Sequence, residues 1–327
     1  MSPWLKRNGM IEFKLLDKTP NETLCNSHYY CDYLELLALV DCDDGLSVSD
    51  IYDRFLEDNK ITDIGTENGG IVNEEWMGRI SGWFDEINCR VSHYGDNYPF
   101  IYDGNRIRKN SNINRNHHLY ILLLLCSLLK YINGYHALTT LFEQISYISL
   151  KKYLPNIAEV HVFGVSSERN ARYSGRIDQK YSLLAQDLGL TRSTRPNVFR
   201  DGDNGDGGVD IVAWVPFRDD PNLDRKQIFL GQSASGKNWA NKQASVDRVK
   251  NYIMDLPSNS QNILFVPYDF RDSNRYFCQS DEITASLIFD RHRITKLVNI
   301  DDINVDSWVD TIQEIMDYAL SFEEDIL

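Results

Sequence analysis

From Gly134 onward, short β-branched and aromatic runs alternate with longer segments of helical spacing, and few architectures accommodate that alternation. TLFEQISYISLKKYL has the pattern of a helix and stops at Pro155, whose ring disfavours a helical residue before it. EVHVFGV has the composition of a strand. IDQKYSLLAQDLGL is amphipathic and ends at Gly189, a residue suited to the left-handed stop of a helix. VDIVAWVPF, QIFLGQS, NILFVPYD and SLIFDRHRITKLV are predicted strands, with a helix through ASVDRVKNYIMDL and another at SWVDTIQEIMDYALSF. Such segments bury their apolar faces by laying helices over a sheet. Residues 136–327 are therefore predicted to form an α/β domain.

Residues 1–135 read as a separate, mainly helical domain. YLELLALVD suggests a short helix, and SVSDIYDRFLED restarts after a serine cap. In NEEWMGRISGWFDEINCRVSHYG, Trp76, Ile80, Trp83, Phe84 and Ile87 fall at helical spacing. ITDIGTENGGIV and NRIRKNSNINRNHH read as loops, with His117 and His118 as capping or surface residues. The apolar run Leu119–Leu129 is shorter than the roughly 20 residues a bilayer span needs, so a buried helix is expected. A length of 327 residues fits two domains, and 42% hydrophobic with 12% aromatic residues suffices for two cores.

Charge and cysteine usage narrow the function classes. A net charge of -14 repels nucleic-acid phosphate at long range, which argues against tight nonspecific binding. It leaves room for a local basic groove, a neutralising metal, a second protein subunit or a homo-oligomer. The six cysteines have no C-x-x-C spacing, so a zinc site is not expected and reduced thiols are. MSPWLKRNGMIEF has no apolar run of signal-peptide length. A cytoplasmic protein with no membrane association is the expectation.

Two neighbouring motifs carry the candidate chemistry. GQSASGKN puts Gly231, Gly236 and Lys237 in the register of a phosphate-cradling loop, but Asn238 stands where a magnesium-binding hydroxyl is required. Upstream lies DGDNGDGGVDIVAW. Its Asp203 and Asp206 resemble a calcium loop without the closing glutamate, and read better as an acidic turn. Asp210 begins a strand, and a hairpin-connected second strand carries Gln232. A shared edge would offer a hard divalent cation one carboxylate and neutral oxygens.

GDGGVD followed by a strand bearing Gln232 resembles the PD-(D/E)XK nuclease superfamily, in particular its Mrr-like restriction branch. The likeness spans about residues 138–270, with an insertion near 165–200. It implies a restriction-endonuclease-like domain with a mixed central sheet flanked by helices. It also implies Mg²⁺- or Mn²⁺-dependent phosphodiester hydrolysis, with DNA as the first expectation and RNA left open. The helix LFEQISYISLKKYL places Glu143 at the family's helical glutamate, and Asp210 and Gln232 match the strand motifs. The implied metal set is Asp210, Gln232, the carbonyl of Ser233, and Glu143 through water or a second ion. Ala234 stands where the family has lysine, so Lys237 is expected to orient the attacking water, with Lys242 as the fallback. A further likeness, to proteins of bacterial defence islands, implies an anti-phage setting.

Basic clusters supply candidate nucleic-acid contacts. Arg172 and Arg176 lie in RNARYSGR, with Tyr173 for stacking, and RSTRPNVFR is similar. Arg291, His292 and Arg293 are expected at a strand edge. The competing readings are a nuclease fold retained as an inactive binding subunit, and a phosphate-loop NTPase.

Overall fold

Strand pairing organises one part of the chain and helix packing the other. The computed structural model describes residues 11–21, 27–41, 45–62, 69–164, 172–199, 202, 205–217, 226–278, 280–284, 286–303 and 308–325. These fall into two units. One comprises Thr140–Val266 with Ser280–Val298; the other comprises Met1–Thr139, Pro267–Gln279 and Asn299–Leu327.

The first of these units is a mixed five-stranded sheet with helices. Its elements are α1 (His136–Tyr153, which starts just before the unit boundary), β1 (Glu159–Val162), α2 (Ile177–Leu188) and β2 (Ile211–Val215). There follow β3 (Gln227–Ser233), α3 (Ser245–Val249), β4 (Gln261–Phe265), β5 (Ser286–Phe289) and α4 (Arg291–Leu297). The sheet order is β5-β4-β3-β2-β1. β1, β2 and β3 are antiparallel neighbours, whereas β3, β4 and β5 run parallel. Opposite one another stand Ile211 and Gly231, Val212 and Leu230, and Trp214 and Ile228. Side chains alternate across a strand, so Val212, Trp214, Ile228 and Leu230 share one face. There they pack with Tyr181, Leu184 and Leu188 of α2 and with Val246 and Val249 of α3. As expected, α2 stops at Gly189 in a left-handed conformation, φ 68°.

Two elements differ from their sequence reading. SLIFDRHRITKLV is a strand only to Phe289. The Asp290 side chain accepts a hydrogen bond from Arg293 N–H at 3.1 Å and caps a helix, so Arg291, His292 and Arg293 lie on α4 and not on a strand edge. The helix expected through ASVDRVKNYIMDL ends at Val249. Beyond it the chain turns, and Ser193 N–H donates to Tyr252 O at 2.7 Å and Met254 N–H to Thr191 O at 2.9 Å, which pins it in one isolated antiparallel bridge between Arg192 and Ile253.

The other unit is built on helices Ser27–Val40, Val48–Glu57, Gly69–Tyr94, Arg115–Ser127 and Val309–Ser321. Ser47 and Asp50 form a reciprocal capping box, as do Asn114 and His117. The expected loop NRIRKN instead supplies strand Arg106–Lys109, which pairs with Leu46–Ser47 and Phe100–Tyr102. The domain boundary expected after residue 135 also shifts, because 267–279 and 299–327 return to this unit. Phe13 N–H donates to Tyr318 Oη at 2.9 Å, and the Phe13 ring packs on Tyr318 and Phe322. Among the described residues no helix is long and apolar enough to cross a membrane.

Candidate active site

The middle of α1 and the ends of β1, β2 and β3 bring two carboxylates together over a glycine. Asp210 immediately precedes β2, where its N–H donates to Gly231 O at 2.9 Å and its O accepts from Phe163 N–H at 2.7 Å. Those bonds fix its backbone between β1 and β3. Its Oδ2 accepts from Ser233 N–H at 2.7 Å. Glu143 projects from the first half of α1. A Cβ placed on Gly164, just past β1, would stand 3.3 Å from Asp210 Oδ1 and 3.4 Å from Glu143 Oε2. Gly164 is therefore the floor of a small cradle that both carboxylates face.

Electrostatics mark this cradle as crowded with negative charge. Burial, then the Asp210 and Asp206 carboxylates, push Glu143 up to about 8, while the Lys242 ammonium pulls it down. Burial also raises Asp210, to about 7; the Ser233 N–H opposes this, Asp206 adds to it, and Lys242 and Arg248 offset it. Asp206 is thus a third acid of the neighbourhood. It is held by Gly208 N–H, which donates to its Oδ1 at 2.6 Å. Glu143 Oε2 and Ser233 Oγ are both buried without a hydrogen-bond partner.

Gln232 sits on β3, 8% exposed, and its Oε1 accepts from Arg248 Nη1 at 2.9 Å. Arg248 also donates through Nη2 to Asn241 O at 2.8 Å. Its side chain fills the space a Cβ on Gly208 would need, with Nη1 2.5 Å from that point. One guanidinium therefore ties together the glycine turn before Asp210, the amide of Gln232 and the lysine-bearing loop. Sequence reasoning missed this residue, because an arginine between Val246 and Val249 reads as the polar face of a helix. It also missed Lys180, 2% exposed, which donates to the carbonyls of Phe163, Gly164 and Gly205 at 3.3–3.4 Å. The available signal was a lysine three residues after Ile177, on the apolar face of α2.

Several of the cations singled out in the sequence have partners within the chain. Ala234 is fully buried, and its N–H bonds Phe265 O at 2.8 Å. Lys237 is exposed in a turn; the cation whose charge reaches both carboxylates is Lys242. Gly231 lies within β3, paired with Ile211 and Ile263, so the chain stays extended to Ser233 and does not wrap a phosphate there. Arg172 forms a fork with the Asp187 carboxylate, and Tyr173 is fully buried and also bonds Asp187. Arg176 pairs with Asp178 at 3.1 Å. Arg291 is fully buried, and Arg293 donates to Ile288 O at 2.6 Å. The structure commits Arg291 and Tyr173 to the interior, away from any phosphate. Asp203 lies outside the described residues.

Among the described residues, no group of three or more His, Cys, Asp or Glu is arranged to hold a metal by itself. The cradle still suits a hard divalent cation. Two carboxylates face one gap, and one of their oxygens, Glu143 Oε2, is buried without a partner. Comparison of the chain with protein-family models, with curated proteins and with solved structures returned no match.

Proposed function

We propose that this chain is a metal-dependent nuclease of the PD-(D/E)XK kind, hydrolysing phosphodiester bonds at the Glu143–Asp210 cradle. The observation that carries the reading is the approach of both carboxylates to within 3.4 Å of one point above Gly164. They come from a helix and a strand 67 positions apart in sequence only because β1, β2 and α1 meet there. The mixed sheet with a three-stranded antiparallel part is in keeping with the domain type that the resemblance implies.

Asp210 and Glu143 would hold Mg²⁺ or Mn²⁺, with the carbonyl of Ser233 as the neutral oxygen that the resemblance adds. When bound, the ion supplies charge to the phosphate and acidifies water. Asp210 keeps Oδ1 turned to the gap because Ser233 N–H occupies Oδ2. Glu143, through the carboxylate oxygen that does not face the gap, would accept the proton of the attacking water as the water oxygen bonds phosphorus; the electron pair of the broken P–O bond goes to the leaving oxygen, which takes a proton from solvent. Lys242, the fallback to Lys237, would offset the charge that builds on the phosphate. Gln232 acts as a spacer locked by Arg248.

The test is cleavage of single- and double-stranded DNA and of RNA with Mg²⁺ or Mn²⁺. The expected result is metal-dependent product that Asp210→Asn removes and Glu143→Gln reduces about 10²- to 10⁴-fold, the range for a lost general base. A second reading, an inactive nuclease-fold subunit, draws on the buried Ala234, from which no ammonium can project. Binding without turnover by the unaltered chain, across all three substrates and both metals, would favour it.

A further inference from the structure

Beside the turn that delivers Asp210 lies an aromatic platform that hydrolysis leaves unused. Tyr181 and Tyr252 stack with centroids 4.3 Å apart and planes 20° apart. Phe199 stands 5.5 Å from Tyr252, and the Arg192 guanidinium lies 4.2 Å over the Phe199 ring. Tyr181 is fully buried and anchors the group, whereas Arg192, Phe199 and Tyr252 are partly buried, the two rings packing at the edge of the core. The platform abuts the site: a Cβ on Gly207 would meet Tyr181 Oη at 2.6 Å and Tyr252 Cε2 at 2.7 Å, three residues before Asp210.

Arg192 carries the argument from packing to binding. Its Nε is buried without a hydrogen-bond partner, and among the described residues the side chain forms no ion pair. Like Arg248, Arg192 has no carboxylate paired with it among the described residues, so its charge is set against a ring and not against an acid. A cation held flat on an aromatic ring beside a second ring offers a phosphate its counter-charge and a base a π-face. Bases in a duplex are already stacked on one another, so only an unpaired base can use such a surface.

We infer that Arg192, Phe199 and Tyr252 bind an unpaired nucleobase and its neighbouring phosphate in a single-stranded nucleic acid. The inference rests on the nuclease reading for the strand's path to the Glu143–Asp210 cradle, but binding is measured apart from cleavage. The shared chemistry is a base and a phosphate, so DNA and RNA are both tested.

The experiment uses the full chain carrying Asp210→Asn, without metal, and fluorescence anisotropy. The probes are labelled oligothymidylate and oligouridylate of about 12 nucleotides, within the span that single-strand grooves cover, and a duplex of the same length. Phe199→Leu keeps apolar bulk and should weaken binding of whichever single strand is held by about tenfold or more, with an unchanged unfolding temperature. Phe199→Trp, which restores a stacking face, should bind like the parent. Arg192→Gln should reduce the slope of log K against log salt by about one. The inference is overturned if Phe199→Leu binds as tightly as the parent, if the duplex binds better than both single strands, or if no strand binds. A protein that passes this test yet never cleaves would sink the nuclease reading alone.

Discussion

Burial, with Asp210 and Asp206 beside Glu143 and Asp206 beside Asp210, holds both carboxyl groups well above the ordinary carboxylate range, to about 8 and about 7. The sign of the consequence follows from linkage. A carboxyl whose folded pKa exceeds its unfolded value of about 4 stabilises the fold fully below that value. The contribution is lost as pH rises through the folded pKa. The unfolding temperature of metal-free protein should therefore fall between about pH 4 and pH 8 more than that of Glu143→Gln, whose neutral amide cannot titrate. Added Mn²⁺ should restore the wild type and leave the variant little changed; scanning fluorimetry across pH in chelator reads the difference. Arg248 makes a second prediction. Arg248→Met leaves the Gln232 oxygen buried without its donor, which costs about 1–3 kcal/mol in chemical denaturation. The same change frees the lysine loop, so cleavage should fall further than stability alone explains. The approach of Asp210 to Glu143 was suggested by the family resemblance and not by a local signal, because an acid on an amphipathic helix reads by itself as solvated. Lys242 over Lys237 was not legible, since which lysine lies near two distant carboxylates depends on how the loop after β3 turns.

The elements repeat that division between local and non-local signals. Gly189 and the serine cap at Ser47 acted where the sequence placed them, because capping is decided by a handful of adjacent residues. Asp290 is a cap of the same kind, overlooked inside a run whose isoleucines and valine suit a strand. Asp290→Ala should destabilise the sheet-bearing unit by about 1 kcal/mol, the usual value of a lost N-cap, measured as a shift in denaturation midpoint. The premature end of α3 was not legible, because residues 191–193, far upstream in sequence, pair with the chain there. Nor was strand Arg106–Lys109, whose basic side chains hide an extended segment paired on both sides.

Across the whole molecule, the division of the chain is set by buried charge as well as by sheet and helix. Within the helical unit Arg90 is almost fully buried, and its Nη1 lies 2.7 Å from Asp32 Oδ1 and 2.9 Å from Glu35 Oε1. Its Nη2 donates to Asp269 O at 3.1 Å, and Tyr94 Oη donates to Asp269 Oδ2 at 2.8 Å. These bonds help explain why Pro267–Gln279 belongs with the N-terminal residues despite its place in the sequence. Arg90→Leu removes the cation that bonds Asp32, Glu35 and Asp269 and should cost about 3–5 kcal/mol, lowering the unfolding temperature of that unit. The acidic balance that sequence composition announced thus coexists with cations spent one by one, at Arg90, at Arg248 and at Lys242. The cation that matters most to the functional reading would have to come from solution. Diffraction at the manganese edge, from crystals grown with Mn²⁺ and a short oligonucleotide, tests that directly. An anomalous peak in the gap above Gly164, in contact with Asp210 Oδ1 and Glu143 Oε2 and gone in Asp210→Asn, is the predicted result. A gap without manganese beside a bound oligonucleotide, or the same peak in the variant, would contradict the account.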